Sequence, residues 1–218
     1  MGRKWALWVS LSTLFAAVAL PAAAAAGEPQ IDPANGKFPI PFFATGGTME
    51  LRVGGGKFVC TDYTAAGEIT SATTGSIETS FGGCKAPGGI ACTSPGQPSG
   101  TIKFAKSVFH LVYLTDAKTM PGVLVTPPTG GVFTTTACTG EIKGSGYMGQ
   151  LEWPAPACGA KSTTFSFVYE VDAEGKQKYR QVTGTGTSYS LLAGGSTEIA
   201  LVSTNTWTLE QQATVTCV

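Results

Sequence analysis

Short runs rich in Val, Ile, Thr and aromatic residues, each closed by glycine or proline, follow one another along almost the whole chain. Residues 48–53, 57–63, 76–81, 101–104, 108–114, 132–138 and 163–171 are of this kind, and such side chains suit a pleated, half-buried strand. In 163–171, Phe165, Phe167, Tyr169 and Val171 alternate with Thr164, Ser166, Val168 and Glu170, which is the period of a strand with one wet face. Residues 172–175 then read as a turn and 178–182 as the returning partner of a hairpin. Ile199, Leu201, Ser203, Trp207 and Leu209 mark one or two further strands over 198–217. Nothing after the first 26 residues has the apolar spacing of a three-turn helix. Many strands without alternating helices predict an all-β chain, folded as an antiparallel β-sandwich or closed β-barrel.

The N-terminus has a separate logic. Arg3 and Lys4, a mostly apolar stretch over 5–20, Pro21 and an alanine run over 22–26 follow the order of a secretory signal peptide. The apolar stretch is shorter than the roughly 20 residues a spanning helix needs, and Ser10, Ser12 and Thr13 interrupt it. Cleavage is expected after Ala26, and a lipid anchor is not, because the first cysteine is Cys60. The expected location is extracellular or at the cell envelope, with no membrane span once the leader is gone. An outer-membrane barrel is the rival, since alternating strands also describe that fold. The six cysteines, the prolines Pro121, Pro127, Pro128, Pro154 and Pro156, and the lack of long regular alternating segments argue against it.

Without Arg3 and Lys4 the 14 basic residues become 12 against 14 acidic ones, a net charge of about −2 with no basic block. A nucleic-acid partner is therefore not expected, because phosphate binding rests on clustered Lys and Arg. Charged residues make up only 13% of the chain, about half the usual share, so hydroxyls must wet much of the surface. Residues 32–45 are proline-rich with little periodicity. The expected organisation is a leader over 1–26, an N-terminal arm over 27–45 and a single all-β domain over 46–218.

Cys60, Cys84, Cys92, Cys138, Cys158 and Cys217 are even in number, and thiols pair in an oxidising compartment. Three disulfides are expected, with 15 connectivities open. No Cys-x-x-Cys occurs and there is one histidine, so neither a redox pair nor a zinc site is expected.

Cys60 with Gly67-Glu68-Ile69-Thr70, then Phe81-Gly82-Gly83-Cys84, then the run from Cys92 through Pro95-Gly96-Gln97-Pro98-Ser99-Gly100 to Ile102, and Cys138 ahead of Gly144-Ser145-Gly146, resemble a group of uncharacterised secreted actinobacterial β-rich proteins. The resemblance spans about 45–171, rests on turn and cysteine positions, and implies an exported β-rich domain with no catalytic residue to carry over. Cys158 and Cys217 stand outside that four-cysteine pattern. That split suggests bridges Cys84–Cys92, closing a Gly- and Pro-containing loop, Cys60–Cys138, and Cys158–Cys217, pinning the last strand. The rival scheme joins Cys60 to Cys84 and Cys138 to Cys158, because each pair flanks a Gly-Glu-Ile segment.

Motifs for chemistry mostly fail on context. Residues 144–149 have the letters of a dinucleotide fingerprint, but Trp153-Pro154-Ala155-Pro156 follows where a helix is required. A bend or bulge in a strand is the reading. Residues 54–57 lack the spacing of a phosphate loop and read as a hairpin turn. Neither Gly-x-Ser-x-Gly nor Ser-x-x-Lys occurs.

An enzyme would have to rest on His110, with Asp116 or Asp62 to orient it, or on two of Glu50, Glu68, Glu78, Glu141, Glu152 and Glu170, whose spacing decides glycoside chemistry. His110 shares a strand face with Val108, Val112 and Leu114, where a hydrogen-bonded core or rim histidine is the expectation. The glutamates read as polar groups on exposed strand faces. Asp172 and Glu174 could meet calcium but lack the ligand density of a calcium loop. The expectation is a secreted, non-catalytic β domain with a binding, structural or cell-envelope role, without cofactor, catalytic or metal residues. The alternatives are a hydrolase using His110 or paired glutamates, and a barrel holding a small apolar ligand among Phe109, Leu111, Phe165 and Trp207.

Overall fold

A computed structural model describes residues 27–53, 56–185, 187–194 and 196–218; the expected leader over 1–26, and Gly54 and Gly55 of the expected 54–57 turn, lie outside them. Fifteen strands run through the described residues. The first seven are β1 (Gln30–Pro33), β2 (Ile40–Gly46), β3 (Met49–Val53), β4 (Gly56–Cys60), β5 (Asp62–Ile69), β6 (Thr74–Gly82) and β7 (Ile102–Lys103). Then come β8 (Ser107–Tyr113), β9 (Pro121–Thr126), β10 (Val132–Thr136), β11 (Gly140–Gly144), β12 (Tyr147–Trp153), β13 (Lys161–Tyr169), β14 (Leu191–Ala193) and β15 (Thr197–Thr216). Strands β2, β5, β6, β8, β9, β12, β13 and β15 pair in that order, each antiparallel to the next, and β15 pairs back onto β2. The fold is a closed eight-stranded antiparallel barrel.

The period-2 pattern decides which side chains enter it. Phe165, Phe167 and Tyr169 of β13, Phe109 and Leu111 of β8, and Ile40, Phe42 and Ala44 of β2 are all buried. Trp207 is 1% exposed, stacks on Phe42 at 4.3 Å and meets Phe109 and Phe167 at 5.0 and 4.6 Å. A barrel of eight strands is just wide enough for side chains to fill, and each large apolar group so buried contributes roughly 1.5–3 kcal/mol. Glycine makes room where rings crowd the wall: a Cβ on Gly149 would lie 2.6 Å from the Tyr169 ring.

β15 holds the two halves together. Its 20 residues pair first with β14 and β3, then with β13 and β2, and finally with β1. The early part belongs to a second sheet, ordered β10-β11-β14-β15-β3-β4, and one apolar cluster runs from Leu51 and Ile142 through to Trp207.

Three expectations need correction. Residues 40–45 of the expected arm instead form, with Gly46, strand β2 of the ring, with Phe43 and Pro41 outside. The prolines hide this, although Pro41 sits at an outward position and the chain alternates cleanly around it. Residues 178–182 do not return as a strand against β13, because β12 and β15 already occupy both its edges. The chain turns at 172–175 and Gln177, buried, donates to the Glu170 carbonyl and accepts from the Leu201 amide, both at 2.9 Å. Beyond it, Tyr179 and Val182 pack on a small outer cluster of Val112, Leu114, Leu124 and Met148.

The disulfides are Cys60–Cys84, Cys92–Cys138 and Cys158–Cys217; the expected Cys84–Cys92 and Cys60–Cys138 do not form. Val59 and Lys85 exchange two backbone hydrogen bonds of 3.0 and 2.8 Å, so Cys60 and Cys84, one step along, face each other at the close, non-hydrogen-bonded position. Their Cα atoms are 3.9 Å apart. Cys92 also lies opposite Cys84, but at a position where its amide donates to the Cys84 carbonyl, the wider kind of pair. Cys92 instead reaches Cys138 in the β10–β11 turn. By loop entropy the separations of 24, 46 and 59 residues are worth roughly 3.5, 4 and 4.3 kcal/mol.

Candidate functional site

The residues first suspected of chemistry do not converge. His110 lies on the outer face of β8, half-buried, with Thr74 and Leu124 as cross-strand neighbours, and its ring makes no hydrogen bond or ion pair among the described residues. Asp62 pairs with Gly82, eight residues along β6 from Thr74, or about 27 Å at strand rise, and it accepts from the Thr61 hydroxyl at 2.7 Å. Asp116 sits in the turn after β8. No hydrogen-bonded serine–histidine–carboxylate arrangement results among the described residues.

The glutamates spread over the surface. Glu50 is held by Lys57 at 2.6 Å and Arg52 at 3.3 Å, and the hydrogen bond from Lys57 holds its carboxyl below the usual range. Glu141 faces Lys143 and Glu170 faces Lys178. Glu68 and Glu78 are diagonal neighbours on β5 and β6, but Glu78 is tied to Lys103 at 3.5 Å and both stand on an open face. Nothing there strips water from a carboxyl, which is how a general acid is tuned. Asp172 Oδ1 accepts the amides of Glu174 and Lys176, and its other oxygen faces Arg180, so it organises the turn.

Gly144, the last residue of β11, and Gly146, just before β12, have positive φ. A Cβ on Gly144 would sit 2.0 Å from the Ser190 carbonyl oxygen, so the motif is a bend where two backbones touch. Phe109, Leu111, Phe165 and Trp207 are packed into the filled barrel. A groove of about 730 Å³ runs along Lys178, Arg180, Tyr189 and Glu198. Its charges face one another: Arg180 lies 3.4 Å from Asp172 and 3.7 Å from Glu198.

The outer surface of the barrel is more ordered than its grooves. On one rank, cross-strand neighbours run Ser166 (β13), Thr206 (β15), Thr45 (β2), Thr64 (β5) and Ser80 (β6). The next rank runs Thr164, Thr208, Phe43, Ala66 and Glu78. Phe43 is 56% exposed. A bulge in β12 sets both Glu152 and Trp153 outside, with Trp153 beside Ser166 and 54% exposed; bulges re-aim side chains in this way. Trp153 thus heads the hydroxyl rank. Sequence could show that Thr204, Thr206 and Thr208 alternate, but the rank exists only through the register of five strands.

Along β13, β15, β2, β5 and β6, mostly Thr, Ser and Glu outside with aromatics within is the reverse of an outer band that faces lipid. No helix of the described residues is long and apolar enough to cross a membrane. Comparisons with family models, curated proteins and solved structures return no match.

Proposed function

We propose that this chain is an exported, non-catalytic β domain that acts through its outer surface, as a binding component outside the cell or at its envelope. The observation that carries the reading is the filled barrel: aromatic rings occupy the interior where a ligand or reacting group would sit. Three disulfides suit an oxidising compartment, and the leader-like residues 1–26 supply the route. His110 without a hydrogen-bond partner among the described residues, and Glu50, Glu78, Glu141 and Glu170 each tied to Lys or Arg, favour binding over hydrolysis.

The test is fractionation of a host expressing the full chain, followed by incubation of the purified protein with isolated cell envelopes. Export, retention on envelopes and no turnover of ester or glycoside substrates are expected. Cytosolic retention with free thiols, or turnover abolished by His110→Ala or Glu68→Gln, would overturn the reading.

A further inference from the structure

Among the described residues, the exposed large apolar side chains are Phe43, Ile90, Val108, Trp153 and Val218. The two aromatic ones share the hydroxyl-bearing face. Three strand steps and one rank separate them, about 16 Å along the surface at sheet spacings, with Ser166, Thr206 and Thr45 between. A bulge is used to bring Trp153 there, and Phe43 stands outside while its neighbour Phe42 stacks on Trp207. The rings are therefore displayed by a rigid wall.

Three features select the occupant. The hydroxyl rank itself carries no charge from Trp153 to Ser80; charges stand at its margins, Glu152 next to Trp153 at one end and the Lys103–Glu78 pair at the other. Thr and Ser hydroxyls donate and accept equally, β-branched Thr holds its χ1 with little freedom to lose, and Ser166 and Thr206 already bond at 3.0 Å. The face from β12 to β6 measures about 24 Å by about 14 Å, on the order of 340 Å², well under the roughly 800 Å² per partner of a standard protein interface. A flat aromatic ring takes an apolar face while its surroundings stay wet. A sugar ring offers that apolar C–H face and a rim of hydroxyls.

We infer that this face binds a neutral polysaccharide, laid across the strands with sugar rings on Trp153 and Phe43 and their hydroxyls on the Ser166–Thr206–Thr45 rank. The inference rests on the surface-binding reading above and names its ligand class.

The test uses the purified chain in depletion assays on microcrystalline cellulose and chitin, and in electrophoresis through gels holding xylan, laminarin or amylopectin. At least one of these polymers retains the protein, equally at about 50 and about 500 mM salt, because no exposed ion pair is involved. Phe43→Ala and Trp153→Ala each weaken retention about tenfold or more, as losses of aromatic anchors do, and the double variant abolishes it. Ile90→Ala, exposed but off this face, binds as the parent does. All the substituted side chains are exposed, and unchanged thermal unfolding confirms the fold. Retention lost at high salt, retention surviving the double variant, or a dimer that Phe43→Ala dissolves would each overturn the inference. Retention on whole envelopes but on none of the five polymers overturns the ligand class and leaves the surface-binding reading standing; retention on neither removes both.

Discussion

The barrel has two outer faces that the same chain treats in opposite ways. Along β8, β9 and β12 the outward residues Val112, Leu114, Leu124 and Met148 are apolar, and the excursion after β13 lays Tyr179, Val182 and Tyr189 over them. Along β13, β15, β2, β5 and β6 the outward residues are mostly Thr and Ser, and no element among the described residues covers them. Outward apolar residues on strands demand a cover, because leaving them wet forfeits their burial energy. Where hydroxyls take their place the sheet is stable bare, so the exposed Phe43 and Trp153 are unprotected apolar groups on a face otherwise built for water.

The most forceful way to break this comparison is to place a charge at matched positions. Met148 is fully buried beneath the cover, so Met148→Asp buries an unpaired carboxylate and costs more than about 4 kcal/mol. Thr45→Asp, at an exposed position of the bare face, stays within about 0.5 kcal/mol of the parent. Urea unfolding of both variants reads the contrast directly, and equal losses would mean the bare face is covered in solution.

A second test reaches both faces from inside. Burial pushes the phenols of Tyr63, Tyr147 and Tyr169 well above their ordinary value of 10.0. Above that pH the unfolded chain binds fewer protons than the folded one, so stability falls as pH rises, by up to about 4 kcal/mol per pH unit for three groups. Below pH 10 they contribute no pH dependence. Alkaline titration followed by tyrosinate absorbance and near-UV circular dichroism should therefore show these phenols ionising only as the barrel opens, with cover and bare face lost together. Ionisation of all six tyrosines near pH 10 in a folded barrel would show that the interior is wet.

Much of this asymmetry was written in the sequence, but not where it could be read. The alternation of Phe165, Phe167 and Tyr169 with Thr164, Ser166 and Val168 gave β13 its two faces directly. Prolines at 39 and 41 disguised β2, and ring closure depends on β2 meeting β15, about 160 residues away. The pairing of Cys60 with Cys84 follows from which ladder positions are hydrogen-bonded, a property of register. The hydroxyl rank is harder still. Its five members come from five strands, and a slip of one residue in any of them would send that hydroxyl inward. Nor could local pattern show that 178–182 leaves β13, since its destination is set by distant Leu114 and Met148.

A smaller perturbation asks how firmly the cover is held. The Tyr179 hydroxyl donates to Gln150 Oε1 at 2.8 Å. Tyr179→Phe keeps the ring's packing and removes that bond, a loss of about 0.5–1.5 kcal/mol. Faster hydrogen exchange over 177–190, with β2 and β5 unchanged, is the expected signature. No local change would mean packing alone fastens the cover.

The smallest effect belongs to the second sheet, away from both faces, and serves as their control. Glu50 sits between Lys57 and Arg52, and the Lys57 hydrogen bond, opposed by slight burial and reinforced by both charges, lowers its carboxyl from 4.5. A carboxyl lowered on folding adds stability that is fully present above its unfolded value and disappears as pH falls through the folded one. Exposed pairs of this kind contribute under about 1 kcal/mol and are screened by salt. Glu50→Gln should therefore trail the parent slightly at pH 7, with the gap closing as pH drops below 4.5 and narrowing in high salt. Polysaccharide retention by Glu50→Gln should match the parent at every pH where both are folded, since this carboxylate belongs to β3 and the hydroxyl rank begins only after β15 has crossed into the barrel. A gap that widens toward low pH would show that burial, rather than Lys57, governs this carboxyl.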